Sequence, residues 1–370
     1  MSQFDQSITL PSGVQLKNRL MLSPMTTQLS FFNGVITEDE ITYYKQRSKG
    51  LGAVITGAAN VQDIGKGWPG ELSIAHDEMI PRLSELAKAI QGEGAKAIVQ
   101  IFHGGRMTSR ATLFGEQPVS ASAVAAERPD AETPRALSEN EIKETIQAFG
   151  EATRRAIESG FDGIELHGAN TYLIQQFFSP HSNRREDQWG GSLENRYRFI
   201  DELLTTVFST VEKYAKKPFI VGYRFSPEEY ETPGIRFEDT IWLLERLRET
   251  KLDYLHVSLN AYDRRARSDK YSDQSILEAV HDTIQGKIPL IGVGGIRTRK
   301  DVEQVLKYAE LAAIGQQMIV DPDWAEKLLE NREDEFVTKP FEEAYKELYL
   351  PSPLYTVSYT HLTLPTIYSV

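Results

Sequence analysis

The sequence predicts an α/β protein in which eight parallel strands close into an eightfold β/α (TIM) barrel. Two observations favour this fold. Short apolar segments alternate strictly with longer amphipathic segments, and there are eight of each. Continuous apolar runs are typical of parallel strands that are buried on both faces. Strict strand–helix alternation over this length favours a closed barrel over an open doubly wound sheet.

The elements follow in a regular order along the chain. A small β-hairpin comes first, where segments 8–10 and 14–16 flank the turn-forming sequence Pro11-Ser12-Gly13. The predicted barrel strands are 20–23, 53–57, 97–102, 163–167, 219–225, 254–259, 289–294 and 311–315. The predicted helices are 38–48, 79–91, 139–159, 193–214, 237–249, 274–284, 299–307 and 323–330. Ser138 and Glu141 form a capping box before the third helix, and Gly160 is placed to end it.

Two long segments, 103–137 and 170–192, interrupt the regular spacing. Each follows a predicted strand, so we expect both to lie over the C-terminal face of the barrel. Active sites of β/α barrels are built on that face.

The C-terminal segment differs from the rest of the chain. Beyond residue 354 the helical periodicity ends, and residues 357–366 include no Asp, Glu, Lys or Arg. We expect residues 356–370 to be a non-native tail, such as a cloning or read-assembly scar. Residues 1–355 are then a single barrel domain. An ordinary extended C-terminal arm is the alternative interpretation.

Composition limits the classes of function. The net charge of −12 and the absence of a Lys/Arg-rich block argue against nucleic acid or an anionic membrane as a partner. The chain has no cysteine, which excludes disulfides, thiolate metal sites and cysteine-ligated iron–sulfur clusters. The first ten residues do not resemble a signal peptide, and no apolar run is long enough to span a membrane, so we expect a cytoplasmic protein.

The histidines do not suggest a metal site, because none of them shows metal-ligand spacing. His76, His181 and His281 are expected at the surface or in loops. The environments of His103 and His256 stay open.

The most informative segment is Gly163-Ile164-Glu165-Leu166-His167-Gly168-Ala169-Asn170-Thr171-Tyr172. It reads as a buried strand that ends in three polar residues, His167, Asn170 and Tyr172. His and Asn each donate a hydrogen bond, and Tyr supplies a proton. Together these side chains predict a site that polarises a carbonyl group and protonates a neighbouring carbon.

A phosphate site is predicted where the last two strands end. Gly294 and Gly295 follow the seventh strand, and Gly315 and Gln316 follow the eighth. In β/α barrels the loops after these strands, with the N-terminus of a short helix, commonly bind a phosphate. The alternative is that the two adjacent glycines only form a tight turn.

Residues at the ends of other strands are suited to a flavin ring. Arg stays charged and fits the edge where reduction leaves negative charge, and Gln pairs with an adjacent donor and acceptor. Each residue alone could instead satisfy backbone groups at the barrel mouth. The predicted ring contacts are Pro24, Met25 and Thr26 after the first strand, Ala58 after the second, Gln100 in the third and Arg224 in the fifth.

With these residues the chain resembles the old yellow enzyme family, the FMN-dependent NADH:flavin oxidoreductases that include ene reductases. The similarity extends from Leu16 to about residue 330. Its most specific part is the segment 167–177, followed by Ser179-Pro180, Asn183-Arg184-Arg185, Asp187, Trp189-Gly190-Gly191-Ser192 and Glu194-Asn195-Arg196.

The resemblance implies a role for each of these residues. His167 and Asn170 hold the carbonyl oxygen of an α,β-unsaturated substrate above FMN, and Tyr172 protonates its Cα. NADH or NADPH is the reductant, and the two substrates react in a ping-pong sequence. Thr26 lies near the flavin C4 carbonyl, where many relatives have Cys. The implied ring contacts are Pro24, Met25, Thr26, Ala58, Gln100, His167 and Arg224, and the implied phosphate contacts are Gly294, Gly295, Gly315 and Gln316.

The chain departs from the family pattern at three positions. Gln316 stands where relatives have Arg, which removes a charge-assisted phosphate bond unless Arg297 or the backbone compensates. Gln28 and Met107 stand where some relatives have Tyr and Lys. These two changes leave the substrate preference open.

Two alternative functions stay open. One is an FMN-barrel quinone or flavin reductase, and the other is a catalytically silent barrel that binds flavin. Relatives that reduce dienoyl-CoA with an iron–sulfur cluster are excluded, because the chain has no cysteine. The physiological alkene, the choice between NADH and NADPH, and the formation of a homo-oligomer do not follow from the sequence.

Overall fold

The computed structural model describes residues 2–339, 343, 348 and 350–356. Apart from Thr356, the predicted C-terminal tail lies outside the described residues. The eight barrel strands are β1 (Leu20–Leu22), β2 (Ala53–Asn60), β3 (Lys96–Phe102), β4 (Gly163–Gly168), β5 (Ile220–Phe225), β6 (Tyr254–Val257), β7 (Leu290–Val293) and β8 (Leu311–Ile314).

Each strand is followed by a helix of the outer layer. These helices are α1 (Glu38–Gln46), α2 (Ile80–Gly92), α3 (Glu139–Glu158), α4 (Leu193–Tyr214), α5 (Phe237–Leu247), α6 (Ile276–Ile284), α7 (Arg299–Val305) and α8 (Trp324–Leu329). The capping box predicted at Ser138 and Glu141 is present at the start of α3, and Gly160 follows its C-terminal end at φ +83°. Among the described helices, none combines the length and apolar character needed to cross a bilayer.

The barrel is closed. Every barrel strand pairs in parallel with two neighbours, and β1 pairs with both β8 and β2. The predicted fold is therefore confirmed. The strand β2 runs three residues further than predicted, to Asn60, because its end pairs with a short strand at Leu72–Ser73.

The hairpin predicted near the start of the chain is also confirmed, with strands Ile8–Thr9 and Gln15–Leu16. It is tied to the N-terminal end of the barrel by the Asp253 carboxylate. This carboxylate accepts from Ser12 N at 2.7 Å and from Val221 N at 2.8 Å. The hairpin therefore lies at the end of the barrel opposite to the predicted site.

The two long segments lie together over the C-terminal face, as predicted. The side chain of Gln176 joins them, because its Oε1 accepts from Ser120 Oγ at 2.8 Å and from Arg106 N at 3.1 Å. Gln176 belongs to a short helix, Leu173–Phe178, that the sequence interpretation missed. The first segment also forms a small two-stranded sheet, Val119–Ser120 with Arg135–Ala136.

Gly222 of β5 leaves space in the barrel interior for a neighbouring side chain. Gly222 of β5 lies opposite Tyr254 of β6, and a Cβ at residue 222 would fall on the Tyr254 ring. The ring therefore occupies the space that the glycine leaves.

We expect Gly222→Ala to lower the free energy of unfolding by roughly 1–3 kcal/mol, because the added methyl overpacks a closed core. Urea denaturation followed by circular dichroism measures this loss. Gly92→Ala is the control, because a Cβ at the end of α2 meets nothing within 4 Å. An unchanged midpoint for Gly222→Ala would contradict the packing described here.

Candidate active site

A cavity of about 510 Å³ opens at the C-terminal ends of the barrel strands. This volume is in the range of cofactor and ligand sites. Side chains from all eight strand–loop units line it. Every site residue predicted from the sequence is among them: Pro24, Met25, Thr26, Ala58, Gln100, His167, Asn170, Tyr172, Arg224, Gly294, Gly295, Gly315 and Gln316. The structure thus brings these residues together, while their individual roles stay predictions.

His167 lies near the end of β4 and is almost fully buried. Burial lowers the pKa of its imidazole well below the ordinary value, and the positive charge of Arg224 lowers it further. The ring is therefore neutral. Ala169 N donates to Nδ1 at 3.4 Å, which leaves the ring proton on Nε2. His167 thus presents one N–H donor in the cavity wall.

The turn after β4 has an uncommon backbone. Asn170 and Thr171 both adopt positive φ, +54° and +61°, although neither is glycine. For a β-branched residue such as Thr this region is unfavourable, and such residues cluster at functional sites. Hydrogen bonds hold the turn: Ser226 Oγ accepts from Asn170 N at 2.9 Å, and Gln175 Oε1 accepts from Thr171 N at 2.9 Å.

Within this turn, the Asn170 side chain contacts the end of β6. Its Nδ2 donates to Ser258 Oγ at 3.2 Å. The turn therefore places the Asn170 amide in the wall of the same cavity that His167 lines.

Tyr172 stands in a cluster of aromatic rings. Its ring centroid lies 4.9 Å from those of His167 and Phe102, and 6.1 Å from that of Trp68. Burial raises the pKa of its phenol, and the nearby Glu71 carboxylate raises it further. The hydroxyl is therefore protonated, and it makes no hydrogen bond with another described residue.

Arg224 supplies a partly buried cation. It lies opposite His167 in the pairing of β4 with β5. Its Nε is buried without a hydrogen-bond partner, and the guanidinium forms no ion pair within the part of the chain that the structure describes. A partly buried cation that lines a cavity in this way fits a ligand with carbonyl oxygens or negative charge.

The end of the cavity near β7 and β8 is suited to a phosphate. Gly294 and Gly295 adopt φ of +115° and +66°, and a Cβ at Gly294 would come within 2.8 Å of Ala261 N. Gly294 therefore requires glycine, and the positive φ of Gly295 favours it. Arg297 follows in the same turn, is exposed and lines the cavity, and its guanidinium bonds to no described residue. Gln316 lines the cavity at the start of a five-residue helix, Gln316–Val320.

Below the cavity floor lies a hydrogen-bonded network that the sequence interpretation missed. Gln100 Nε2 donates to Glu165 Oε1 at 2.7 Å, and His256 Nδ1 lies 2.9 Å from Glu165 Oε2. All three residues are buried. One signal was visible: Glu165 is an acidic residue in the middle of an otherwise apolar strand, which calls for a partner.

Other residues were also missed. The cavity lining includes Trp68, Ser258 and Arg264, which stand in loops where no pattern singled them out. His181 lies in a turn, in agreement with its expected surface or loop position, and it is buried there. His103 is buried as well, and burial lowers its pKa to about 3, so it is neutral.

A buried carboxyl group anchors the loop that carries Thr26. Thr27 Oγ1 donates to Glu40 Oε1 at 2.7 Å, and Ser30 Oγ donates to Oε2 at 2.5 Å. Burial raises the pKa of Glu40 to about 7, although both hydroxyls act against this shift. The position of the loop that carries Thr26 therefore depends on the Glu40 carboxyl group, which titrates near neutral pH.

The sequence profile of the NADH:flavin oxidoreductase / NADH oxidase family matches residues 6–335. The chain belongs to this family. A solved structure of an old yellow enzyme homologue from Zymomonas mobilis agrees with the fold at a TM-score of 0.80 and 26% identity. That alignment covers 98% of this chain and 99% of the homologue. The resemblance to the old yellow enzymes is confirmed.

Curated members of the family differ in length. An NADH:acrylate oxidoreductase of Vibrio harveyi is 45% identical over 362 residues, which are 96% of this chain and 36% of that protein. The probable NADH-dependent flavin oxidoreductase YqiG of Bacillus subtilis is 42% identical over 351 residues, which are 95% of this chain and 94% of YqiG. The chain therefore spans little more than a third of the Vibrio protein and nearly all of YqiG.

The family is one of FMN-dependent NADH:flavin oxidoreductases. The cavity fits this cofactor in two respects. The Nε of the Arg224 guanidinium is buried without a hydrogen-bond partner among the described residues, and a flavin pyrimidine edge could supply one. The turn leaves no room for a side chain at Gly294, and such bare backbone suits the close approach of a phosphate.

We expect Glu40→Gln to change the pH dependence of stability. Because the pKa of Glu40 is raised from 4.5 to about 7 in the folded state, its contribution is full below pH 4.5 and is lost as the pH rises through 7. The stability of the wild type relative to Glu40→Gln should therefore fall by roughly 2–3 kcal/mol between pH 5 and pH 8. Urea denaturation at both pH values measures the difference.

Asp39→Asn serves as the control, because Asp39 is exposed on the same helix. If the difference in free energy of unfolding between the wild type and Glu40→Gln does not change with pH, titration of Glu40 is ruled out.

Proposed function

We propose that this flavin oxidoreductase reduces the activated C=C bond of α,β-unsaturated carbonyl compounds with electrons from NADH or NADPH. The two substrates use the same cavity in turn, which is a ping-pong sequence. The observation that carries the proposal is the position of Tyr172. A protonated phenol faces the cavity 4.9 Å, ring to ring, from the neutral imidazole of His167.

FMN, when bound, accepts two electrons from the nicotinamide and passes them to the alkene. We assign the contacts to its ring to Pro24, Met25, Thr26, Ala58, Gln100, His167 and Arg224. The phosphate contacts are assigned to Gly294, Gly295, Gly315 and Gln316, with Arg297 in place of the Arg that relatives have at position 316. The positive charge of Arg224 would stabilise negative charge on the pyrimidine edge of bound FMN.

His167 and Asn170 bind the substrate oxygen. Charge accumulates on this oxygen as the alkene carbon receives electrons, and fixed donors stabilise that charge without reorganisation. The neutral state of His167 matters here, because its Nε2–H is then a stable donor and not a competing acid. The hydrogen bonds of Asn170 N and Thr171 N keep the turn in place.

Tyr172 supplies the proton. The reduced alkene gains a hydride equivalent at Cβ, which originates from the nicotinamide, and a proton at Cα from the Tyr172 hydroxyl. Water then restores the proton to Tyr172. Its raised pKa keeps the phenol protonated until a carbanion-like Cα draws the proton away.

A quinone or flavin reductase is the alternative within the same family. Quinone reduction takes its protons from solvent and has no need of Tyr172, so a tyrosine in this position favours alkene reduction. A barrel that binds flavin without catalysis has no need of either donor. The Vibrio relative acts, by its name, on acrylate, which is itself an alkene conjugated to a carboxyl group.

The decisive experiment is an absorption spectrum of the purified protein, followed by anaerobic titration with NADH and then with 2-cyclohexenone. We expect a flavin spectrum that NADH bleaches and the enone restores. A preparation that is colourless and does not bind added FMN would end this proposal. Bleaching by NADH that only a quinone reverses would favour the quinone reductase.

Tyr172→Phe should slow reoxidation by 2-cyclohexenone about 10²- to 10⁴-fold, which is the usual contribution of a general acid. Bleaching by NADH should stay close to the wild-type rate, since that half-reaction takes no proton from Tyr172. Stopped-flow absorbance measures the two half-reactions separately.

Tyr197→Phe is the matched control, because Tyr197 is partly buried outside the cavity lining. Tyr172 is not the acid if Tyr172→Phe slows only the reaction with NADH.

Arg297→Ala should weaken FMN binding about tenfold or more, since a charge-assisted hydrogen bond is worth roughly 1.5–3 kcal/mol. Binding of riboflavin, which has no phosphate, should not change. Fluorescence titration of the apoprotein with both ligands measures the two constants.

Lys300→Ala removes a positive charge nearby on α7 without touching the cavity lining, and it should leave both constants unchanged. Equal loss of FMN and riboflavin affinity in Arg297→Ala would place Arg297 away from the phosphate.

A further inference from the structure

The network below the cavity is built around one carboxylate. Glu165 accepts from Gln100 Nε2 at 2.7 Å through Oε1, and its Oε2 lies 2.9 Å from His256 Nδ1. Both carboxylate oxygens are therefore engaged, and the side chains of Glu165 and His256 are fully buried. Glu165 precedes His167 by two residues on β4, so its side chain lies on the same face of the strand, one layer deeper.

The barrel leaves room for this contact. Glu165 belongs to β4 and His256 to β6, and β5 runs between them. The β5 residue opposite Glu165 is Gly222. The contact between Glu165 and His256 therefore spans β5 at a level where Gly222 contributes no side chain.

The first consequence concerns Gln100. A carboxylate accepts hydrogen bonds only, so the Gln100 amide must turn its NH₂ group toward Glu165. Its Oε1 is then directed away from the carboxylate. Gln100 also lines the cavity, so the amide can present its oxygen there as an acceptor for a ring N–H.

The second consequence concerns charge. Glu165 stays ionised, since His256, Arg224 and Gln100 together outweigh burial and hold the pKa of its carboxyl below the ordinary value. Arg224 interacts with Glu165 through space, but no ion pair within 4 Å joins the two in the described structure. The Arg224 cation thus stays available to the cavity, while a buried negative charge behind it weakens its field.

We infer that Glu165 is a positioning residue for the cofactor: it orients the Gln100 amide and attenuates the field of Arg224, and through both it sets the affinity and midpoint potential of FMN. This inference rests on the proposed position of FMN in the cavity. The reaction needs a flavin that accepts electrons from NADH and still gives them to an alkene, so the strength of this field matters.

The test uses two variants that separate charge from geometry. Glu165→Gln keeps the length of the side chain and an acceptor for Gln100, but it removes the negative charge. We expect the FMN midpoint potential to shift to a more positive value. Without the Glu165 charge, the positive field of Arg224 is stronger at the flavin and stabilises the negative charge of the reduced ring. Glu165→Asp keeps the charge but withdraws the carboxylate by one methylene, and FMN binding should weaken about three- to tenfold, the worth of one hydrogen bond.

Asp253→Asn is the matched control. Asp253 is also a buried carboxylate with two hydrogen-bonded partners, but it lies at the opposite end of the barrel. The Asp253→Asn substitution should lower the thermal stability of the protein and leave both the FMN midpoint potential and the FMN affinity unchanged. Dye-equilibration spectrophotometry gives the potential, fluorescence titration gives the affinity, and circular dichroism checks the fold of each variant.

The outcomes distinguish this inference from the proposed function. If the wild-type protein binds FMN and reduces enones, but both Glu165 variants keep the wild-type potential and affinity, the inference is overturned and the proposed function stands. A negative shift in Glu165→Gln also overturns it. If Glu165→Gln does not fold, the FMN affinity of Glu165→Asp decides, and an affinity equal to that of the wild type overturns the inference. A wild-type protein that does not bind FMN overturns both.

Discussion

The pairing of the barrel strands determines where each charged group of the cavity lies. Gln100 lies opposite Glu165, and His167 lies opposite Arg224. Because paired residues of parallel strands point to the same side of the sheet, these side chains meet inside the barrel. A slip of one residue in any of these pairings would turn that strand's polar residues outward. The chemistry of the site therefore depends on backbone hydrogen bonds far more than on any one loop.

Periodicity and strand ends were sufficient to predict the barrel and to select residues that line one cavity. This worked because parallel strands deliver their C-terminal residues to a common face, whatever their separation in sequence. The capping pair Ser138 and Glu141 was equally readable, since it depends only on residues three positions apart. By contrast, the sequence pattern predicted that β2 ends at residue 57, three residues before its observed end at Asn60. Its last residues are held by pairing with Leu72–Ser73, which no local pattern indicates.

The buried network shows what the sequence alone does not reveal. Glu165 and His256 are 91 positions apart, and they meet across the strand that lies between them. Glu165 stands out as an acidic residue in an apolar strand, but no sequence pattern indicates that His256 is its partner. Likewise, the short helix Leu173–Phe178 has too few residues for a periodic signal, and the burial of His181 follows from how two long segments pack. Such features arise from contacts between distant parts of the chain.

The cavity combines two kinds of support. Gln100, Glu165, Arg224 and His256 stand on strands, where any change disturbs the closed sheet. Trp68 and Met107 also line the cavity, but they stand on loops that have no part in the barrel pairing. Substitutions at these two rim positions can reshape the entrance while the electrostatics of the floor persist. Evolution, or an engineer, could thus alter which molecules enter this barrel without retuning how its flavin exchanges electrons.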